Sequence, residues 1–244
     1  MPRPPRFFIS PDQVAGSRII VSGEDVRHIR TVLRVKLGET LILCDGNGTE
    51  YLVKIIESGK TELATEIVER STRELSRPRV TLGQGLPKSD KMDWIMQKAT
   101  ELGVATIVPL VTERTIVKVR DAEKRRARWQ KIAREAAMQS NRVDIPTVGS
   151  ITSFHNFTIT LDPGPLTLKL FPWEEGTEPV KNILRQHSDA RHVVVLIGPE
   201  GGFSETEAVM ARDQGFHQVS LGRNILRTET AAIAALSMIL YELF

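Results

Sequence analysis

Three stretches of this 244-residue chain carry residue types that could do chemistry. The first is Gly198-Pro199-Glu200-Gly201-Gly202-Phe203-Ser204, directly behind the wholly apolar run Val193–Ile197. Its glycines leave no side chain over the backbone, so a ligand can approach N–H and C=O groups closely, and Glu200 puts a carboxylate beside them. The spacing is neither G-x-G-x-x-G nor a P-loop with its Lys-Ser/Thr, so the dinucleotide and nucleoside-triphosphate fingerprints are both absent. A tight strand-to-helix turn with no ligand accounts for the same residues equally well. The second stretch is Leu221-Gly222-Arg223-Asn224-Ile225-Leu226-Arg227-Thr228-Glu229-Thr230, running into Ala231, Ala232, Ala234 and Ala235. It sets an Arg and a Glu side by side at the mouth of a helix whose small residues admit another backbone; a helix start with surface charges is the plainer account. The third is a helix near Trp129 on which Lys124, Arg128, Lys131 and Arg134 share one face, a surface suited to phosphates or simply to water. Its other face, Trp129, Ile132, Ala133, Ala136, Ala137 and Ser140, is apolar or small. Trp94, with Met96 and Ala99 on the preceding helix, reads as core.

Those residues need elements to hold them. The first seventy residues read as a small β-rich unit, with strands over Arg6–Ser10, Arg18–Ser22, Glu39–Cys44, Glu50–Glu57 and Thr61–Glu69, and one helix over Glu24–Leu33. Asp45-Gly46-Asn47-Gly48 is a hairpin turn, because Gly and Asn tolerate positive φ. Ser71–Pro78 is polar and ends in Pro, which suits a linker. Beyond it strands alternate with helices, as βα units of a largely parallel sheet do. The strands are Arg79–Gly83, Ala105–Leu110, Leu166–Leu170, His192–Ile197 and Gln218–Leu221. The helices are Asp90–Leu102, Asp121–Asn141, Pro179–His187, Glu205–Gln214 and Thr228–Phe244. An apolar strand such as Val193–Ile197 is a central, buried one, and ligands in open α/β sheets bind at carboxyl ends of strands. Ser204-x-x-Glu207 is a capping box for the helix that follows. The last helix ends on Leu240, Tyr241, Leu243 and Phe244; so apolar an end should be docked, into its own core or against a second subunit.

Composition narrows the classes. At 41% hydrophobic and 26% charged the chain matches a soluble globular protein. No apolar run reaches the ~18 residues of a membrane helix, and the basic, Pro-rich start Met1–Phe8 is no secretory signal. One cysteine, Cys44, excludes a disulfide framework and fits a reducing cytoplasm. His28, His155, His187, His192 and His217 lie far apart without ligand spacing, so no metal is expected. Net charge is only +3, yet residues 74–142 hold 15 Lys and Arg against 8 Asp and Glu, while residues 143–244 hold 7 against 12. A basic middle beside an acidic end suits a polyanion-facing surface.

Taken in order, these signals resemble a known family: the bacterial small-subunit rRNA uridine-N3 methyltransferases, the RsmE type within the SPOUT superfamily. The resemblance spans nearly the whole chain. It rests on Arg6-Phe7-Phe8, His28-x-x-x-Val32-Leu33-Arg34, Lys88-x-Asp90-Lys91-Met92-Asp93-Trp94 and Lys98-Ala99-Thr100-Glu101-Leu102-Gly103-Val104. It continues through Glu135-Ala136-x-x-Gln139-Ser140-x-Arg142, Ile197-Gly198-Pro199-Glu200-Gly201-Gly202 and Leu221-Gly222-x-x-Ile225-Leu226-Arg227-Thr228-Glu229-Thr230-Ala231. Ser150–Gly176 matches little of the pattern.

The resemblance implies a PUA-like β-barrel that binds RNA over residues 1–73. It implies a SPOUT α/β domain with a trefoil knot and an S-adenosylmethionine site over residues 74–244. It also implies a cytoplasmic homodimer acting on 16S rRNA or the assembled small subunit. A knot runs against general topology rules. The matching cofactor positions are Ile197, Gly198, Glu200, Gly201, Gly202, Leu221, Gly222, Ile225, Leu226 and Ala231, with Leu170 at the end of the preceding strand added to them. Arg227 is expected to stabilise negative charge on the uracil oxygens, and Glu200 or Glu229 to accept the N3 proton or orient the base. For RNA the expected contacts are Arg6, His28, Arg30 and Arg34, with Arg128, Lys131, Arg134 and Arg142. Two other readings stay open: a non-catalytic RNA-binding assembly factor, and a SPOUT methyltransferase acting on another RNA position.

Overall fold

The computed structural model describes residues 4–73, 78–161 and 164–243, and these form two compact units. The first takes the described residues up to Arg73 and, again, Ala137–Ile145; the second takes those of Ser76–Ala136 and Pro146–Phe244.

In the first unit the strands are β1 (Arg6–Phe8), β2 (Val14–Ala15), β3 (Arg18–Ser22), β4 (Thr40–Cys44), β5 (Thr49–Ser58) and β6 (Glu62–Thr72). They form one sheet in the order β1-β4-β5-β6-β3-β2, parallel only between β1 and β4. Alternation of side chains across the pleat buries Ile19 and Val21 of β3 and exposes their neighbours. Phe7 of β1 joins those residues and Ile29 in a single apolar cluster, so both flanks of the sheet enclose one core. Between β4 and β5, Gly46 and Gly48 take φ of 76° and 106°. Asp45 Oδ1 accepts from the N–H groups of Asn47 (2.8 Å) and Thr49 (3.0 Å), which closes the expected turn. The helix expected over Glu24–Leu33 is two pieces, α1 (Glu24–Arg27) and a wider π turn over His28–Val32. The expected linker starts later than its composition implies, because Ser71 and Thr72 still pair with Glu50 and Thr49 in the ladder. Its residues 74–77, like residues 1–3 of the basic start, lie outside the described residues.

The second unit has strands β7 (Arg79–Gly85), β8 (Thr106–Val111), β9 (Thr147–Val148), β10 (Thr152–Ser153), β11 (Thr167–Pro172), β12 (His192–Ile197) and β13 (His217–Val219). Its helices are α2 (Lys91–Leu102), α3 (Ala122–Gln139, its last residues counted with the first unit), α4 (Phe154–Thr160), α5 (Val180–Gln186), α6 (Glu205–Asp213) and α7 (Thr228–Leu243). The sheet runs β10-β8-β7-β12-β11-β13, with β9 against β8, and every pairing is parallel. β12 is central and buried from Val193 to Ile197, as its unbroken apolar run requires. One face packs α2, α3, α5 and α7; the other packs α4 and α6 around Phe154, Phe171 and Phe203.

One expectation is corrected here, and one helix is added. α2 buries Met92, Ile95, Met96 and Ala99, a 3.6-residue stripe; Trp94 lies off that stripe and is 43% exposed rather than core. The Ser150–Gly176 region, where the family pattern fades, holds α4, whose N-cap Ser153 accepts a hydrogen bond from the Asn156 amide. At the end of α7, Leu240 and Leu243 pack onto the core, while Tyr241 is 87% exposed; Phe244 lies outside the described residues.

Candidate active site

β12 ends at Ile197 and the chain turns through Gly198–Gly202 before α6; β13 ends at Val219 and the chain runs through 220–227 before α7. Both connections border one cavity of about 450 Å³. It lies at the carboxyl ends of the strands, where open α/β sheets bind ligands, and its volume is that of a small-molecule site (~300–1,000 Å³). Ser204 and Glu207 close the predicted capping box, 3.2 Å and 3.0 Å, so α6 starts at a fixed point after the glycine turn.

Thr228 ties the two connections together. Its hydroxyl donates to the Gly198 carbonyl at 2.5 Å and accepts from buried Gln84 Nε2 at 3.0 Å. Sequence alone gave Thr228 and Gln84 no role, because both act through partners far away in the chain. Backbone approach is equally close at Gly85, where a Cβ would fall 2.6 Å from the nitrogen of Pro199. Gly202 and Gly222 adopt φ of +67° and +139°, and a Cβ on either would project into open space.

Charge at the cavity is organised by Lys91, the first residue of α2. Its Nζ lies 3.0 Å from Glu200 and 3.2 Å from Glu229. Both oxygens of Glu200 also accept from the Lys88 backbone N–H, at 3.1 Å and 3.2 Å. Hydrogen bonding to Glu200, opposed by some burial and reinforced by Glu229, holds Lys91 above the usual lysine range. Burial pushes the Glu200 carboxyl up, but Lys91 and the backbone amides outweigh it, so Glu200 ends below the usual carboxylate range. Arg114, in the loop after β8, donates from Nη1 to the Gly201 carbonyl at 2.8 Å.

Of the residues expected at the cofactor, ten line this cavity: Ile197 at the end of β12, Gly198, Glu200, Gly201 and Gly202 from the first connection, Leu221, Gly222, Ile225 and Leu226 from the second, and Ala231 near the start of α7. Ile225 is 83% exposed. Arg227 lines it too, whereas Glu229 reaches it only through Lys91. Leu170 is corrected: it is fully buried in the core. β11 runs two residues beyond the expected end, to Pro172, so Pro172, Trp173 and Glu174 form that wall instead. Lys91, Trp173, Glu174 and Arg223 are lining residues that the sequence reading did not select.

Two of the expected RNA contacts are also corrected. The Arg6 side chain is 6% exposed, bound to Glu50 at 2.7 Å and donating to Cys44 Sγ at 2.7 Å. The Arg142 side chain is 10% exposed and bound to Asp144 at 2.7 Å. Both guanidinium groups serve internal ion pairs, a use that charge and motif position do not reveal. His28, Arg30, Arg34, Arg128 and Lys131 are exposed and Arg134 is half-buried; Arg128 pairs with Asp93, whose other oxygen accepts from Trp129 Nε1 at 3.1 Å.

Comparison with known proteins matches residues 51–240 to an RNA methyltransferase domain and residues 21–68 to an RNA methyltransferase PUA domain. Ribosomal RNA small subunit methyltransferase E of Bacillus subtilis is 34% identical over 230 residues, covering 91% of this chain and 89% of that protein. The Synechocystis protein of the same name is 33% identical over 237 residues, covering 96% and 76%. The crystal structure of the Neisseria gonorrhoeae protein of that name, bound to S-adenosylmethionine, superposes with a TM-score of 0.88 at 33% identity over 98% of each chain. The fold is accordingly that of an α/β RNA methyltransferase domain with a PUA-like unit, and the chain belongs to the ribosomal RNA small subunit methyltransferase E family.

Proposed function

We propose that this protein transfers a methyl group from S-adenosylmethionine to N3 of a specific uridine in 16S rRNA of the small ribosomal subunit. The observation that carries the reading is the cavity walled by the two connections that Thr228 joins, in a chain of this family. The residues present fit the donor. Leu221, Ile225 and Leu226 offer an apolar slot for adenine, beside glycine backbone that leaves N–H and C=O groups within reach. When bound, S-adenosylmethionine supplies an electrophilic methyl group on a sulfonium.

The chain's own residues do the rest. N3 lies on the Watson–Crick edge, so the uridine must be unpaired or flipped out to reach the cavity. Arg227 stabilises negative charge developing on the uracil oxygens. Glu200, held ionised by Lys91 and the Lys88 amide, is a weak proton acceptor at neutral pH and is better suited to orienting the base, so the N3 proton, displaced as the bond from N3 to the methyl carbon forms, passes to Glu229 or to solvent. The PUA-like unit, residues 1–73 in this reading, presents RNA through His28, Arg30 and Arg34, with Arg128, Lys131 and Arg134 adding a basic face in the 74–244 domain. Exposed Ile225, Trp94 and Tyr241 on the second unit suit an interface between two copies. In this reading the protein is a cytoplasmic homodimer acting on small-subunit rRNA, free or in the assembled subunit.

The test is to incubate the protein and labelled S-adenosylmethionine with unmodified small ribosomal subunits, digest the rRNA and identify the labelled nucleoside by mass spectrometry. 3-Methyluridine supports the reading, and Arg227→Ala should lower its yield by about 10²–10³-fold. Label in another nucleoside, or in none, rejects it.

A further inference from the structure

We propose that Lys91 is a positioning residue for the donor: by holding Glu200 and Glu229 across one ammonium, it fixes the glycine turn after β12 and the first turn of α7 at the separation that donor binding needs. This inference rests on the reading that the cavity takes S-adenosylmethionine.

Three segments distant in sequence meet at this group: the start of α2, the turn that carries Glu200, and the start of α7 that carries Glu229. The start of α2 grips Glu200 twice, through the Lys88 amide and through Lys91 Nζ. A cation in the first turn of a helix opposes the helix dipole, so Lys91 at this position does nothing for α2 itself. Its placement is accounted for by the two carboxylates. Without the ammonium they would face each other as like charges, and either one takes a proton or the two segments move apart.

Other charges near Glu200 do not replace it. From the cavity wall come Arg223, Arg227 and Glu174, and from the loop after β8 comes Arg114, which is engaged with the Gly201 carbonyl. Among the described residues, the ion pairs of Glu200 and Glu229 run to Lys91 alone.

The experiment is calorimetric titration of S-adenosylmethionine into wild-type protein, Lys91→Met, Lys91→Arg and the double variant Lys91→Met with Glu229→Gln, between pH 5.5 and 8, with circular dichroism confirming the fold. Wild-type affinity should stay nearly flat across that range. Lys91→Met should bind about tenfold or more weakly at pH 8, a loss of about 1.4 kcal/mol. Its affinity should recover as pH falls, because protonating one carboxylate removes the repulsion. Lys91→Arg should bind within a few-fold of wild type, and the double variant, which lacks the like-charge pair, should regain most of the loss. A merely structural lysine would give neither the inverted pH profile nor rescue by the second substitution. Lys91→Met binding as wild type, or weakened with a flat pH profile, overturns the inference. If Lys91→Met does not fold, a double variant that folds but stays weak overturns it as well. No heat with wild-type protein instead rejects the assignment of the cavity, and this inference with it.

Discussion

At Gly85 one methyl group decides whether two strands' ends can meet. The nearest atoms to an added Cβ are Cδ and the backbone nitrogen of Pro199, both at 2.6 Å, and backbone cannot swing aside as a side-chain tip can. Gly85→Ala should therefore cost about 1–3 kcal/mol of stability, as overpacking does, and displace the glycine turn. Denaturant unfolding reads the first effect and donor titration the second; an unchanged variant would show that the approach is looser than this geometry. Cys44 makes a different prediction. Burial pushes its thiol up to about 11, with the Arg6 guanidinium pulling the other way. The folded state holds this proton more tightly than the unfolded one, so the contribution to stability is full below about pH 9 and lost as pH rises towards 11. At pH 8 the folded protein should resist iodoacetamide and the denatured protein should react quickly; equal rates would refute the burial. At this scale the sequence exposed the glycines and Glu200, because turn chemistry is local. It could not expose Lys91, whose partners lie more than a hundred residues away, or Thr228, whose partners lie 30 and 144 residues away, nor show that Arg6 spends its charge on Glu50.

Elements were legible where their pattern is long. β12 announces itself by an unbroken apolar run, α2 by its stripe, and α6 by Ser204 and Glu207. α4, with seven residues rich in Thr and Phe, is too short for helical periodicity to emerge, and β9 and β10 are two residues each. β11 extends two residues past its expected end, through Phe171 and Pro172. That extension is why Trp173 and Glu174, and not Leu170, border the cavity. The join between the two cavity-forming connections is testable through Thr228→Val, which keeps the shape and deletes the hydroxyl. It leaves the Gly198 carbonyl and the buried Gln84 amide without that partner, at about 1–3 kcal/mol for each group left unsatisfied. Melting temperature should fall and donor affinity with it; a variant matching wild type in both would show that the connections hold without Thr228.

Across the whole molecule, the burial of Arg6 and Arg142 still leaves basic surface, because His28, Arg30, Arg34, Arg128 and Lys131 remain exposed. Binding to small-subunit rRNA should weaken steeply with salt, and the double substitution Arg30→Ala with Arg34→Ala should reduce the log–log slope by about two. Filter binding over a salt series checks this; an unchanged slope would remove both residues from the contact.

The return of Ala137–Ile145 to the first unit has a consequence for how such proteins can be taken apart and recombined. Ala137 packs with Phe8 and Cys44, Arg142 offers its carbonyl to Arg6, and Asp144 bridges to Gly46 and Asn47. A fragment severed once near residue 73 leaves with those partners missing and its polar groups stranded. Grafting this unit means carrying two separate coding stretches together, so the first unit travels with a piece of sequence set inside the second rather than as a portable cassette.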